Sequence, residues 1–436
     1  MLAKHWKIPK KIIKISKIKN LDGYINKRAF AEIEINNDEL LPKWSNKKLK
    51  IVINGYSPKK NNGQEATIKI DGQRFSFVSI SQNVNINHFD KMVQDLVLER
   101  YIPYTRPLFT RIPFNYTKIP VPIRTRLHTL FQESRRGMNF PSWPIEKSVE
   151  LIRYLFIASI KLKLGKRIPY ISFWPENKEL AYTLTHDCDS ASSFRSVDKI
   201  REIEKKYGFV SSWNIVPNKY RIDHGKLKKL RKEGCEIGLH GYDHSGKIAY
   251  QKESIIKNKL SYGLNKLSRY NVSGFRSELL LRNSRFLNML SKNFTYDSSI
   301  PDTDIKSALS LRNGCCTVFP FFVNNMVELP LTMPQDWRLI RMGLKKPEML
   351  ELWKKKIDYI KDVNGLVNIN MHPDDFISGN EEYLGVYDAI LRYASKIKNK
   401  WHALPLNIAE WWIKRSKAEI KGKKLRVLEH GNISYF

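Results

Sequence analysis

Two short segments carry the residues best suited to chemistry. The first, Thr185-His186-Asp187-Cys188-Asp189, ends an apolar run with two carboxylates separated by one residue. The second, His240-Gly241-Tyr242-Asp243-His244, spaces two imidazoles four residues apart. Two close carboxylates repel in a small site unless a cation lies between them or their roles differ, one binding metal and the other moving a proton. Two imidazoles at this spacing can meet one ion from a helical turn or a tight loop, and Gly238 and Gly241 favour the loop. By itself such a pair more often means two surface or core histidines than two ligands. Adding one carboxylate gives a two-histidine, one-carboxylate set with open positions for water, the composition of a hydrolytic zinc or related divalent site. Which Asp completes the set is left open by the pattern alone.

The elements that must position these residues alternate between strand-like and helix-like. Strands are expected at residues 180–185, 210–216, 235–239, 272–275, 294–296, 318–321, 326–329, 366–370 and 401–404. Amphipathic helices are expected over 194–207, 226–232, 250–270, 348–363 and 381–398, after a first helix from 146 to about 164. This rhythm implies a parallel sheet, and its repeat number favours a distorted (β/α) barrel over an open sheet. Strand C-terminal ends then converge on one face, and Asp187, Asp189, His240, Arg276, Asp297 and His372 all fall just past expected strands. Earlier in the chain, period-two alternation surrounds Asp71-Gly72, a two-residue hairpin signal, and a short helix is expected at 89–101. The expected layout is a basic segment 1–27, a small antiparallel β-rich accessory module 28–102, a Pro-rich connector 103–145, the barrel 146–412 and a basic tail 413–436.

At 436 residues the chain exceeds one ordinary core, and 42% hydrophobic with 11% aromatic residues places it among globular rather than disordered proteins. The formal net charge of +33 implies attraction to polyanions: acidic glycans, anionic lipid surfaces or nucleic acid. Lys dominates over Arg and there is no zinc-finger, RNP or recognition-helix pattern, so nucleic acid is the weakest of these. Cys188, Cys235, Cys315 and Cys316 make no disulfide framework, which fits a reducing compartment. The first twenty residues lack a continuous apolar core and cleavage site, and the apolar stretch 151–162 is interrupted by Arg153 and Lys161. The expectation is a cytoplasmic protein whose basic ends can rest peripherally on an anionic surface or membrane.

In their order along the chain, these motifs resemble the polysaccharide deacetylase family, the NodB-homology carbohydrate esterases that remove acetyl groups from N-acetylated sugars. The resemblance covers residues 180–412. Residues 185–189 resemble the family's first motif in its His-Asp-x-Asp form, and 239–244 its His-x-x-x-His motif. Gly274-Phe275-Arg276-Ser277 resembles the Arg motif, Tyr296-Asp297-Ser298-Ser299 a Tyr-Asp-Ser-Ser segment, and 367–373 the closing aliphatic-plus-His motif. The resemblance implies that Asp189, His240 and His244 hold one divalent metal ion, zinc first, with other divalent ions open. It implies that Asp187 is the general base, kept ionised and oriented by Arg276, and that His372 returns a proton to the departing sugar amine. The implied substrate is an N-acetylated saccharide, with Leu366, Val367 or Ile369 forming the pocket for the acetyl methyl.

The chain departs from the family pattern twice. Cys188 separates two Asp that are adjacent in the common first motif, so base and ligand could be exchanged. Glu278 and Leu279 stand where the Arg motif usually continues to Pro and an aromatic, and Glu278 reads as a solvated loop charge ahead of a replacement substrate contact. Asp336, before Trp337, resembles a substrate-side segment but is as readily a turn residue or cap. His186 reads as a structural histidine rather than a fourth ligand. Asp297 is a candidate support for Arg276 or His372, although a strand-end Asp is ordinarily a turn former. Trp411 and Trp412, at helical spacing from Ile408, read as core. Two other functions stay open: a non-catalytic basic protein of the same fold binding glycan or membrane surfaces, and a metal-dependent hydrolase of other C–N bonds such as those of cyclic ureides.

Overall fold

The computed structural model describes residues 93–100, 106–111, 141–150, 152–153, 167–304, 314–421, 424–426 and 428–436, together with His5, Lys7 and the backbone of four strands nearer the N-terminus. The chain divides into two compact units, one of residues 1–101, 147–177 and 414–436, the other of residues 102–146 and 178–413. In the first unit β1 (Ala31–Ile35), β2 (Leu49–Ile53), β3 (Glu65–Ile70) and β4 (Gln73–Val78) pair antiparallel in sequence order. Ile70 stands opposite Gln73, the register that a two-residue hairpin demands. Asp71 and Gly72, and most of the expected connector, lie outside the described residues. A further strand, β5 (Pro169–Ile171), also belongs to this unit.

The second unit is built on nine strands: β6 (Leu180–Cys188), β7 (Ser212–Ile215), β8 (Glu236–His240), β9 (Gly274–Arg276), β10 (Tyr296–Asp297), β11 (Phe321–Val323), β12 (Met326–Glu328), β13 (Leu366–Met371) and β14 (Lys400–His402). Their spatial order is β11-β12-β10-β9-β8-β7-β6-β13, and β14 takes the start of the β6 edge that β7 takes further on. All neighbours are parallel except β11 and β12. Those two form a hairpin across Asn324 and Asn325, with Asn324 left-handed at φ 54°. The strand expected at 318–321 thus begins three residues later, at Phe321, and runs back along its neighbour. The sheet curls until its margins meet, Leu366 N–H donating to the Val318 carbonyl at 2.8 Å and Met333 N–H to that of Asn368 at 3.3 Å. These are isolated bonds, not a ladder, so the sheet is a curled, distorted half-barrel.

Helices α1 (Ser193–Lys206), α2 (His224–Lys232), α3 (Glu253–Lys266), α4 (Ser284–Leu290), α5 (Asp336–Arg341), α6 (Lys346–Asp362), α7 (Glu381–Ser395) and α8 (Pro405–Lys417) follow or flank the strands. Asp223, Asn283 and Asn380 cap α2, α4 and α7 by accepting a backbone N–H of the first turn. Trp411 and Trp412 are buried, as their helical spacing predicts. In the first unit, β15 (Glu419–Lys421) and β16 (Lys424–Arg426) form a hairpin and β17 (Ile433–Tyr435) pairs antiparallel with β5, so much of the basic C-terminal segment is strand. No helix among the described residues is long and apolar enough to cross a membrane.

Strand β6 runs three residues further than expected and takes His186, Asp187 and Cys188 into the sheet. Alternation then turns His186 away from Asp187. His186 is fully buried against Trp213, with ring centroids 4.2 Å apart, and its Nε2 donates to Glu204 Oε1 of α1 at 2.7 Å. Glu204 also accepts from Tyr387 of α7 at 2.7 Å, from Ser211 at 2.8 Å and from Arg201. This hub fixes the back of the motif strand. Burial would raise the Glu204 pKa, but His186 and Arg201 outweigh it and hold the group below the usual carboxylate range. Glu204→Gln is expected to lower stability by about 3–5 kcal/mol at neutral pH. The deficit should be constant above the ordinary Glu pKa and shrink as pH falls through the lowered folded value, which denaturant titrations across pH will show.

Candidate metal centre and active site

Asp187 and Asp189 leave β6 on the same face because the strand period is two, and Cys188 between them is fully buried. Their surroundings differ. Asp187 Oδ1 accepts from Asn214 Nδ2 at 2.8 Å, and Oδ2 accepts from Asn370 Nδ2 at 2.8 Å and Arg276 Nη1 at 3.3 Å. Burial would raise its pKa, but Arg276, His240 and His372 outweigh burial and hold it low. Asp189 instead places Oδ1 3.2 Å from His240 Nε2 and 3.0 Å from His244 Nε2.

Asp189, His240 and His244 form a cluster whose ligand atoms all lie within 4.8 Å of one another. Asp189 Oδ1 is buried and makes no hydrogen bond. A tetrahedral zinc ion with bonds of about 2.0–2.1 Å keeps its ligand atoms about 3.3–3.4 Å apart, close to the 3.2 and 3.0 Å from Asp189 to the two imidazoles. His240, the last residue of β8, donates Nδ1–H to the Arg276 carbonyl at 3.0 Å, which leaves Nε2 free to ligate. The donor set and its orphaned oxygen fit a divalent ion.

Arg276 ends β9 and is almost fully buried, with Nη2 also donating to Thr185 Oγ1 and Ser298 Oγ at 3.2 Å each. His372 follows β13 and stands across from Asp187, its Nε2 4.0 Å from Asp187 Oδ2. Asp336, the first residue of α5, receives His372 Nδ1–H at 2.6 Å on Oδ1 and the His372 backbone N–H at 2.8 Å on Oδ2. Burial would lower the His372 pKa, but Asp336 first, then Asp189 and Asp187, outweigh burial and raise it to about 10. Asp336 is therefore the group that orients His372, a pairing across 36 residues with no local signature.

Other expected residues sit elsewhere. Asn368 and Asn370 of β13 turn inward, Asn368 to Ser298 and Asn370 to Asp187, so alternation points Val367 and Ile369 to the opposite face. Neither can line a methyl pocket beside Asp187. Asp297 accepts from Ser299 Oγ at 2.6 Å and faces Glu328 in the strand register, with no hydrogen bond to Arg276 or His372 among those described. Glu278 is not a solvated charge: it is fully buried, its carboxylate turned to the backbone of residues 242–246. Asn214 and Asn370, which complete the cradle of Asp187, were not among the expected residues; an Asn inside a buried strand is the one available clue.

No protein-family profile matches the chain, and neither does any curated protein. Among solved structures it is similar to a candidate polysaccharide deacetylase from Mycobacterium smegmatis, at 20% identity and a TM-score of 0.45 over 54% of this chain and 91% of the other. It is also similar to Puue allantoinase, at 16% identity and a TM-score of 0.44 over 56% and 93% of the two chains. A further likeness is to a probable polysaccharide deacetylase from Pseudomonas aeruginosa PAO1, at 15% identity and a TM-score of 0.45 over 56% and 93%. The motifs along residues 180–412 bring Asp189, His240 and His244 together as one candidate metal cluster.

Proposed function

We propose that the second unit is a metal-dependent hydrolase that removes acetyl groups from N-acetylated amino sugars of a glycan or glycoconjugate. The observation that carries this reading is the division of labour between two carboxylates on one strand face, Asp187 in a cradle of amides and guanidinium, Asp189 against two imidazole Nε2 atoms. Asp189, His240 and His244 would hold one divalent ion, zinc first. When bound, the ion supplies Lewis acidity, making a water more acidic and polarising the acetyl carbonyl.

The remaining steps belong to side chains. Asp187, ionised and fixed by three donors, takes the proton of the attacking water. Its lowered pKa keeps it ionised and able to accept that proton. His372 is held by Asp336 through Nδ1, so Nε2–H faces the space that Asp187 also addresses and can protonate the departing amine. The products are acetate and the free amino sugar.

Wild type is expected to bind one divalent ion per chain and to release acetate from N-acetylhexosamine oligosaccharides. Asp187→Asn should keep the ion while kcat falls about 10²–10⁴-fold, and Asp189→Ala or His240→Ala should lose the ion itself. Metal analysis beside an acetate assay reads both; turnover of cyclic ureides without acetate release would move the substrate class to another C–N bond. Asp336→Asn removes the largest contribution raising the His372 pKa. Because the acid must be protonated, the alkaline limb of the kcat/KM profile should move to lower pH in this variant.

A further inference from the structure

We infer that Glu278 is the positioning residue that sets the metal affinity of the His240–His244 loop, an inference that rests on the metal-site reading above. Its Oε1 accepts the backbone N–H groups of Tyr242, of Asp243 at 2.8 Å and of His244 at 2.7 Å, and its Oε2 accepts that of Gly246 at 2.6 Å. Four amides of one loop therefore converge on a single carboxylate that is fully buried.

The backbone explains the convergence. Gly241, His244 and Gly246 all have positive φ, at 58°, 60° and 71°. Left-handed residues among right-handed ones turn successive N–H groups to one side, making a concavity that binds an anion. Here the anion is covalently part of the chain, brought by the loop that follows Arg276. A Cβ on Gly241 would collide with the Glu278 side chain, so the glycine is required by the close approach as well as by its φ. His244 has a Cβ, so its left-handed backbone is strained and persists only where its surroundings fix it. Its own N–H bond to Glu278 is one of the contacts that do so.

The consequence falls on the ligand set. His240 is placed by β8 and by its bond to the Arg276 carbonyl. His244 lies beyond the strand, and its Nε2 reaches Asp189 only while the loop keeps its left-handed turn. Arg276 and Glu278, two residues apart, thus grip the two functional halves of the site: one holds the Asp187 side chain, the other the backbone under His244.

The test uses the full chain with Zn²⁺ and Co²⁺ as probe ions. Glu278→Gln keeps one acceptor oxygen but sets an NH₂ against the remaining amides, and it is expected to lower affinity for both ions about 10–100-fold in chelator competition. At saturating Co²⁺ its visible spectrum should differ from that of wild type, since one imidazole is displaced. Hydrogen exchange on metal-free wild type gives a second reading that needs no variant: the amides of Tyr242, Asp243, His244 and Gly246 should be protected. Unchanged affinity and spectrum in Glu278→Gln, or loop amides exchanging at free rates in wild type, would overturn the inference while leaving the metal site standing. Failure of wild type to bind either ion would instead overturn the reading of the site on which the inference rests.

Discussion

The site depends on the period of two in β6. One extended strand cannot point consecutive side chains the same way, so Asp187 and Asp189 share a face only because a residue stands between them. The intervening Cys188, with His186 before it, is committed to the other face, where His186 ties the strand to Glu204. Burial, reinforced by Asp374, Asp187 and Asp189, raises the Cys188 thiol pKa far above the ordinary value and makes it inert. The nine residues of β6 therefore anchor the strand on one side and present Asp187 on the other, with Asp189 directly after the strand end. Their different partners, a guanidinium and two amides for Asp187 and two imidazoles for Asp189, distinguish two carboxylates that the spacing alone would leave interchangeable.

Buried carboxylates also hold the loops in place, through backbone amides and hydroxyls. Arg276 is followed two residues later by Glu278, which grips the His244 loop. His372 is followed at the same distance by Asp374, whose Oδ2 accepts the Asp189 N–H at 3.2 Å while Oδ1 accepts the Ser190 and Ser192 hydroxyls. Each of these carboxylates reaches from a loop carrying one chemical group to the loop carrying a candidate ligand. A buried charge is tolerated when several donors satisfy it, and backbone N–H groups do so without adding a cation that would compete with a metal.

The strand order of chemistry was legible in the sequence because strand ends, glycines and the His-x-x-x-His spacing are local. Three features were not. Glu278 reads as a loop charge because its partners are amides, identical at every position and invisible in residue types. Asp336 pairs with a histidine 36 residues away, across a fold that must form first. Val367 and Ile369 look like pocket residues until Asn370 is seen to bond Asp187, which fixes the facing of β13 and turns both outward. Val318 and Leu366 both fall in segments that read as strands, but closure of the half-barrel there by isolated bonds rather than a ladder has no periodic signature.

The most direct measurement is X-ray absorption on the zinc-loaded chain, since it reads the donor atoms themselves. The account predicts two imidazoles and oxygen donors at about 2.0–2.2 Å with no sulfur. Sulfur scattering at about 2.3 Å would place Cys188 on the metal face and contradict the alternation from which the site is built.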